Sequence, residues 1–421
     1  MTALPMAAPA PAAAAPAIRA PRRALLPSTA VGTLAPALLV SAGYVDPGNW
    51  GTDVAAGAQF GYRLVWVLAL ATGLALFLQY LSARLGLASG QDLASLLRTR
   101  LPRPARAVLI PPILGVLVVT EIVEVLGVVI GVQLLTGWST GSSVAVATAL
   151  VVTILVAPPG VARRTVYTCL GLVGAVYLTV LFLNGIGDVV AGLRPESLPP
   201  GGIVVAAGLI GAVVMPHNIL LHSALARDLR HAADRRDGGQ ATPARLARLS
   251  RRSLTTTAAA LGVAFAVNCA IMSITASGSS SGTDLAGALG SSAATFGAAT
   301  TILFAITLIG AGLASSTAGG MVSADVISRL LPSFPAPPAV RRIACLVPAA
   351  LIAGSGLPQV TVLVWSQVLL TVALPLVLVP LVWFSSERRT VGRWALTPAV
   401  RGVAIAVTGG MFLAGLASLL A

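Results

Sequence analysis

The chain has 421 residues, 56% of them hydrophobic and only 10% charged. A soluble domain carries about 25% charged residues, so this composition excludes a cytosolic enzyme and a disordered protein and points to a polytopic helical membrane protein. The formal charge is +14, from 27 basic residues against 13 acidic ones, and the position of the basic residues decides whether it marks nucleic-acid binding or membrane topology.

Residues 1–27 are rich in Ala and Pro and carry Arg19, Arg22 and Arg23. Such a segment cannot bury a core and is expected to be a disordered cytoplasmic tail. Its prolines interrupt the apolar stretch that a signal peptide needs. Beyond it, runs of spanning length, about 20 apolar residues, recur at 31–59, 64–88, 108–136, 142–159, 166–187, 202–226, 254–276, 293–319, 340–356, 360–384 and 397–420. The expected fold is therefore all-α, a polytopic membrane protein of eleven transmembrane helices. All the basic residues are Arg, and their positions test the count. With the N-terminus inside, the inner segments are the tail and the loops after even-numbered helices. Those segments hold 25 of the 27 Arg residues, leaving only Arg63 and Arg194 outside, as the positive-inside rule requires. The charge is a topology signal. It predicts a multi-pass protein of the cytoplasmic (inner) membrane, N-terminus cytoplasmic and C-terminus outside, with the lipid bilayer and not nucleic acid as its partner. Cys169, Cys269 and Cys345 lie in or beside apolar runs and read as packing residues.

An odd helix count suggests two inverted halves, since an odd number of helices per half reverses orientation. The reading is a first five-helix repeat over 28–190, a second over 200–386, and an extra helix at 396–421. The binding site of such proteins lies where matching helices of the two halves are interrupted. Helices 1 and 6 open the halves, and each holds a proline-centred polar break. In helix 1 it reads GYVDPGNW, with Asp46, Pro47, Gly48 and Asn49. Pro47 lacks an N–H and biases Asp46 away from helical angles. A carboxylate at mid-membrane costs about 2.5–3.5 kcal/mol on translocon scales, a cost that a bound cation offsets. In helix 6 the break reads GAVVMPHNILLH, with Ala212, Met215, Pro216, His217, Asn218 and His222. Ala212 lies four residues before Pro216, so its carbonyl loses its helical donor. Carboxylate, amide and carbonyl oxygens beside a thioether favour a transition metal such as Mn²⁺ or Fe²⁺ and admit Cd²⁺. In helix 3, Glu121 and Glu124 share one face of an apolar helix. Intramembrane acids pair or carry protons, with Arg341 and Arg342 at the start of helix 9 as candidate partners. His217 and His222 are candidate proton relays on different faces of helix 6. Asp53, two turns beyond Asp46, reads as a vestibule or capping group.

The two breaks together, DPGN and MPHN, resemble the Nramp family of divalent-metal transporters. So do LSARLGLASGQDLA in helix 2, TEIVEVLG in helix 3, VNCAI in helix 7 and SQVLLTVALPLVLVPL in helix 10. The resemblance implies a leucine-transporter-type fold with two inverted five-helix repeats, and proton-coupled uptake of Mn²⁺ or Fe²⁺ by alternating access. It implies metal ligation by Asp46, Asn49, the Ala212 carbonyl and the Met215 sulfur, joined in some states by the Gly43 carbonyl and the Gln367 side chain. The proton route and salt-bridge network it implies use Glu121, Glu124, His217, His222, Arg341 and Arg342. The chain departs from the family at Leu114, where an acid is usual, and at Glu121, where Asp is usual. In helix 8, GLASSTAGGMVSADV matches only loosely. Leu114 is thus expected to mean altered coupling, a uniport-like leak, or a route using Asp46 and Glu121 alone.

The chain is expected to be a transporter and not an enzyme, monomeric, with the metal as substrate and no resident cofactor. Three other readings are opposed by particular features. An organic-substrate symporter of the same fold would place a carboxylate at the half-helix N-termini, where Asp46 repels it. A Mg²⁺ transporter would use an all-oxygen shell, which Met215 spoils. A non-transporting metal sensor would be expected to carry a sizeable soluble domain.

Overall fold

In the computed structural model the described residues are Tyr44, 46–276 and 298–421. The N-terminal tail, the first half of helix 1 and Gly43 lie outside them. Among the described residues every regular element is helical. In chain order they are α1 (Pro47–Phe60), α2 (Val65–Ser89), α3 (Leu93–Arg100), α4 (Arg103–Thr136), α5 (Thr140–Val156), α6 (Pro159–Asn184), α7 (Gly187–Ala191) and α8 (Gly202–Val214). There follow α9 (Pro216–Arg236), α10 (Pro243–Ala276), α11 (Ala298–Leu330), α12 (Pro338–Ile343), α13 (Leu346–Ala353), α14 (Gln359–Ser386), α15 (Arg388–Val391) and α16 (Pro398–Leu420).

Eight of the described helices are long and apolar enough to cross a membrane, counting α8 and α9 as one broken span. The other three expected segments differ for local reasons. Of the first, only the half from Pro47 onward is described. The fourth, α5, has 17 residues. The ninth is divided into α12 and α13, six and eight residues long. The eighth runs on to Leu330, well past the expected end at 319, because Asp325 and Arg329 pair with each other and need not leave the helix.

Helix ends follow local chemistry. Gly90 and Gly137, both left-handed, close α2 and α4, and Ser139 caps α5. The core is built by α4 packing on α11, α2 on α9, α1 on α10, and α14 on α8 and α16. Where membrane helices meet closely, small residues let the backbones approach. A Cβ at Gly127 would strike the Pro47 ring, and one at Gly211 would strike the Gln367 carbonyl and Thr371. These two contacts seat α4 and α14 directly against the breaks in helices 1 and 6.

Candidate metal site

The break in helix 1 is a helix start. Asp46 is extended (φ −79°, ψ 139°) and caps α1, accepting the Gly48 N–H at 3.1 Å, with Pro47 in the first turn. The break in helix 6 falls at Met215. Its φ of 39° makes it the one residue other than glycine with positive φ among those described, a conformation that costs free energy and collects at functional sites. The Met215 N–H reaches the Gly211 carbonyl. The neighbouring Ala212 carbonyl faces a position where Pro216 has no N–H to give.

Asp46, Asn49, Ala212, Met215 and Gln367 are each at most 1% exposed. Gln367 of α14 ties the two breaks together. Its amide nitrogen donates to Asp46 at 3.5 Å, and its backbone carbonyl closes on Gly211 beside Ala212. Thr371, one turn on, donates to the Ala207 carbonyl at 2.7 Å. Asn49 spends its N–H on the Tyr44 carbonyl at 2.7 Å, which turns its oxygen away from that bond. Asn218 donates from its amide nitrogen to the Met215 sulfur at 3.3 Å.

Around the two breaks several buried oxygens remain unpaired. Asn49 Oδ1, Asn218 Oδ1, Gln367 Oε1, Glu121 Oε1 and Glu124 Oε2 are buried oxygens without a hydrogen-bond partner. Buried polar atoms are almost always satisfied, and exceptions need a reason. Oxygen donors for a cation would be such a reason. No group of three His, Cys, Asp or Glu able to hold a metal occurs among the described residues; the candidate donors are a carboxylate, amides, a carbonyl and a thioether.

The helix 3 glutamates stand in α4, buried, and reach the site through α11. Ser315 donates to Glu124 at 2.7 Å and lies 3.4 Å from Asp46. Gly319 leaves room for the Glu124 carboxylate, which an added Cβ would crowd at 2.8 Å. His217 meets Thr120 of α4 at 3.1 Å. His222 points elsewhere, bridging Gln79 of α2 at 2.8 Å and Ser253 of α10 at 3.0 Å. The five-residue spacing thus does place the two imidazoles on different faces. Leu114 is half-buried in apolar packing.

Two expectations need correction. Arg341 and Arg342 do not pair with Glu121 or Glu124 among the described ion pairs. They lie on the short helix α12, and Arg342 donates to the Leu155 carbonyl of α5 at 3.0 Å. The division of helix 9 gives the arginines their own segment, packed on α5 and α11. Asp53 is not a vestibule group but fully buried. Its partner is the Asn268 amide of α10, 3.3 Å away once that amide is oriented to donate.

Sequence reasoning also missed Ser315, whose signal was the paired serines in an apolar helix. It missed a second charged cluster. Arg227 of α9 pairs with Asp92, with Asp228 at 2.7 Å and with Asp325 at 3.8 Å. Arg329 pairs with Asp325 at 2.8 Å and with Asp92 at 3.2 Å. Burial pushes the Asp92 carboxyl up, but the Arg329 and Arg227 guanidiniums and Ser95 together hold it below its ordinary value. Beyond the site on α1, Trp50 packs edge-on against Tyr177 and Phe304, with ring centres 5.0 and 5.2 Å away.

Comparison with known proteins identifies the family. The family model for natural resistance-associated macrophage protein-like (Nramp) proteins matches residues 37–421. The chain belongs to the Nramp family. The divalent metal cation transporter MntH of Deinococcus radiodurans is 35% identical over 374 residues, 85% of this chain and 83% of that protein. The MntH of Acidiphilium cryptum is 34% identical over 392 residues, 89% and 86% of the two chains. The crystal structure of the Eremococcus coleocola manganese transporter superimposes with a TM-score of 0.79 at 23% identity, covering 92% of this Nramp chain and 85% of that one. Mhp1, a nucleobase-cation-symport-1 family transporter, gives 0.66 at 14% identity, over 93% and 91%. The fold is the all-α, leucine-transporter type.

Proposed function

We propose that this Nramp protein carries a divalent transition metal, Mn²⁺ or Fe²⁺ with Cd²⁺ admitted, into the cell across the cytoplasmic membrane. The observation that carries the reading is the set of buried, unpartnered oxygens at two facing helix breaks beside a thioether. Asp46 supplies the charge. Asn49, the Ala212 carbonyl and Gln367 supply hard oxygens, and Met215 supplies the soft donor that disfavours Mg²⁺ and Ca²⁺. The kinship with MntH proteins supports the same substrate class.

Transport proceeds by alternating access between two inverted repeats, 28–190 and 200–386, with 396–421 outside them. A break in the first helix of each repeat supports that division. With the N-terminus inside, the Arg-rich segments face the cytoplasm. The buried aromatic trio around Trp50 then lies on the outer side of the metal and the Asp92–Arg227 cluster on the inner side.

Proton movement accompanies the metal. Ser315 sits between Asp46 and Glu124, Glu121 lies one turn from Glu124, and His217 flanks them through Thr120. His222 extends the polar region toward α10. Leu114 stops this route from continuing along α4 toward its N-terminal end, where the family usually continues it. The test is uptake into proteoliposomes loaded with a pH dye, Mn²⁺ compared with Mg²⁺. Mn²⁺ uptake with internal acidification and no Mg²⁺ uptake is the expected result. Mg²⁺ uptake equal to Mn²⁺ would overturn the substrate, and uptake without a pH change would overturn the coupling.

A further inference from the structure

Away from the metal site, α14 and α16 part to form a groove of about 560 Å³ on the lipid-facing surface, within the range of pockets that hold one small ligand. Its walls are apolar, and its shape has a local origin. Pro375 stands inside α14 and withholds a helix-bonding N–H, while Gly409 of α16 leaves its share of the wall empty. The groove follows both helices lengthwise. On α16 it runs from Arg401 to Phe412, and on α14 from Ser386 to Pro375. Eleven steps of an α-helix span about 16 Å, and half of a bilayer's hydrocarbon core is about 15 Å. The groove is therefore as long as one leaflet is deep.

Its two ends differ. The helices run antiparallel, so Ser386 and Arg401 share one end, where the backbone N–H of Leu396 bonds the Ser385 carbonyl. Arg401 is exposed and enters none of the ion pairs of the described residues. Arg388, Arg389 and Arg393 follow α14 at the same end. Trp383, about half exposed, stands one turn inside, where an aromatic ring suits the headgroup boundary. The far end, at Pro375 and Phe412, is wholly apolar. We infer that this groove is a binding site for an anionic phospholipid, with one acyl chain along the α14–α16 seam and the phosphate on Arg401. Basic residues beside a span attract anionic headgroups, and here the apolar slot gives that attraction a fixed seat.

The test is native mass spectrometry of the full chain in detergent with equal amounts of phosphatidylglycerol and phosphatidylcholine. One favourable cation next to an anionic headgroup predicts about fivefold more retained phosphatidylglycerol than phosphatidylcholine. Arg401→Gln should bring that ratio to about one, and Arg401→Lys should keep most of it. Gly409→Leu fills the slot and should lower retention of both lipids. Each variant is first checked for monodisperse elution and an unchanged melting profile, and Gly409→Ala replaces Gly409→Leu if the latter fails. No preference in the unsubstituted protein, or a preference that survives Arg401→Gln, would overturn the headgroup assignment. Unchanged retention in the folded Gly409 variant would overturn the groove as the seat.

Discussion

Two buried groups of charged side chains lie on the same helical framework and are finished differently. In the Asp92–Arg227–Asp325–Arg329 cluster each carboxylate meets at least one guanidinium. Around Asp46 and Glu124 the links are to Ser315, Gln367, the Gly48 backbone and the neighbouring acid Glu121, none of the described ion pairs reaches them, and several oxygens have no partner. Within a low-dielectric interior a complete cluster ties helices together, and an incomplete one is a standing cost. The difference teaches where this chain keeps its charges for structure and where, on the proposed function, it holds them open for a substrate.

The contrast makes opposite predictions for the two groups, and the largest effect concerns the open one. Asp46→Ala should reduce Mn²⁺ uptake in proteoliposomes to the level of empty vesicles. It should not lower the melting temperature of the metal-free protein, because a mid-membrane carboxylate costs about 2.5–3.5 kcal/mol on translocon scales. Retained uptake would remove Asp46 from the site. Arg227→Gln should behave in the reverse way. It takes from Asp92 and Asp325 one of the two guanidiniums they share and from Asp228 its paired guanidinium, at a cost toward the lower end of the about 3–5 kcal/mol of a broken buried pair. Thermal melting should fall sharply, while the protein that remains folded keeps its preference among Mn²⁺, Cd²⁺ and Mg²⁺. A changed ion preference with unchanged melting would erase the distinction between the two groups.

Much of this was legible in the sequence, for reasons that also mark the limits. Helices such as α2, α4 and α14 announce themselves because apolar length and Arg placement are strong, local signals. The breaks were legible because proline removes a donor wherever it stands, and Asp46, Ala212 and Met215 could be named from their spacing to Pro47 and Pro216. The division of helix 9 was not, since 340–356 holds an apolar stretch whose interruption depends on how α12 packs against α5 and α11. For the same reason Arg341 and Arg342 were assigned partners they do not reach. Asp53 looked peripheral from its distance along α1, yet its environment is set by Asn268, more than two hundred residues away in sequence. Ser315 and the Asp92–Arg227 pair are likewise products of tertiary approach, which spacing along one helix cannot express.

A smaller effect separates the donors within the open group. Met215→Ala removes the thioether and leaves the oxygens, so the site should move toward hard ions. The ratio of Cd²⁺ to Mn²⁺ uptake should fall about tenfold, by analogy with the loss of other metal contacts, and Ca²⁺ or Mg²⁺ should begin to enter. Competition of each ion with Mn²⁺ uptake measures this, and an unchanged profile would deny the sulfur its role.

The smallest effect asks whether the sulfur is held in place or merely present. Asn218 is fully buried and its amide nitrogen donates to Met215 Sδ. That bond occupies one sulfur lone pair and fixes the thioether rotamer, leaving the other lone pair for an ion. Asn218→Leu keeps the branched shape and removes the donor. The bond is a neutral one, worth about 0.5–1.5 kcal/mol net, so the Cd²⁺ to Mn²⁺ ratio should fall about threefold with Mn²⁺ uptake nearly unchanged. A double-mutant cycle makes the test specific, since residues acting through one contact are not additive. On the Met215→Ala background, Asn218→Leu should change the ratio no further, because no sulfur is left to orient. An equal loss in both backgrounds would mean that Asn218 acts through its own unpartnered oxygen, as a hard donor on the Asp46 side of the comparison.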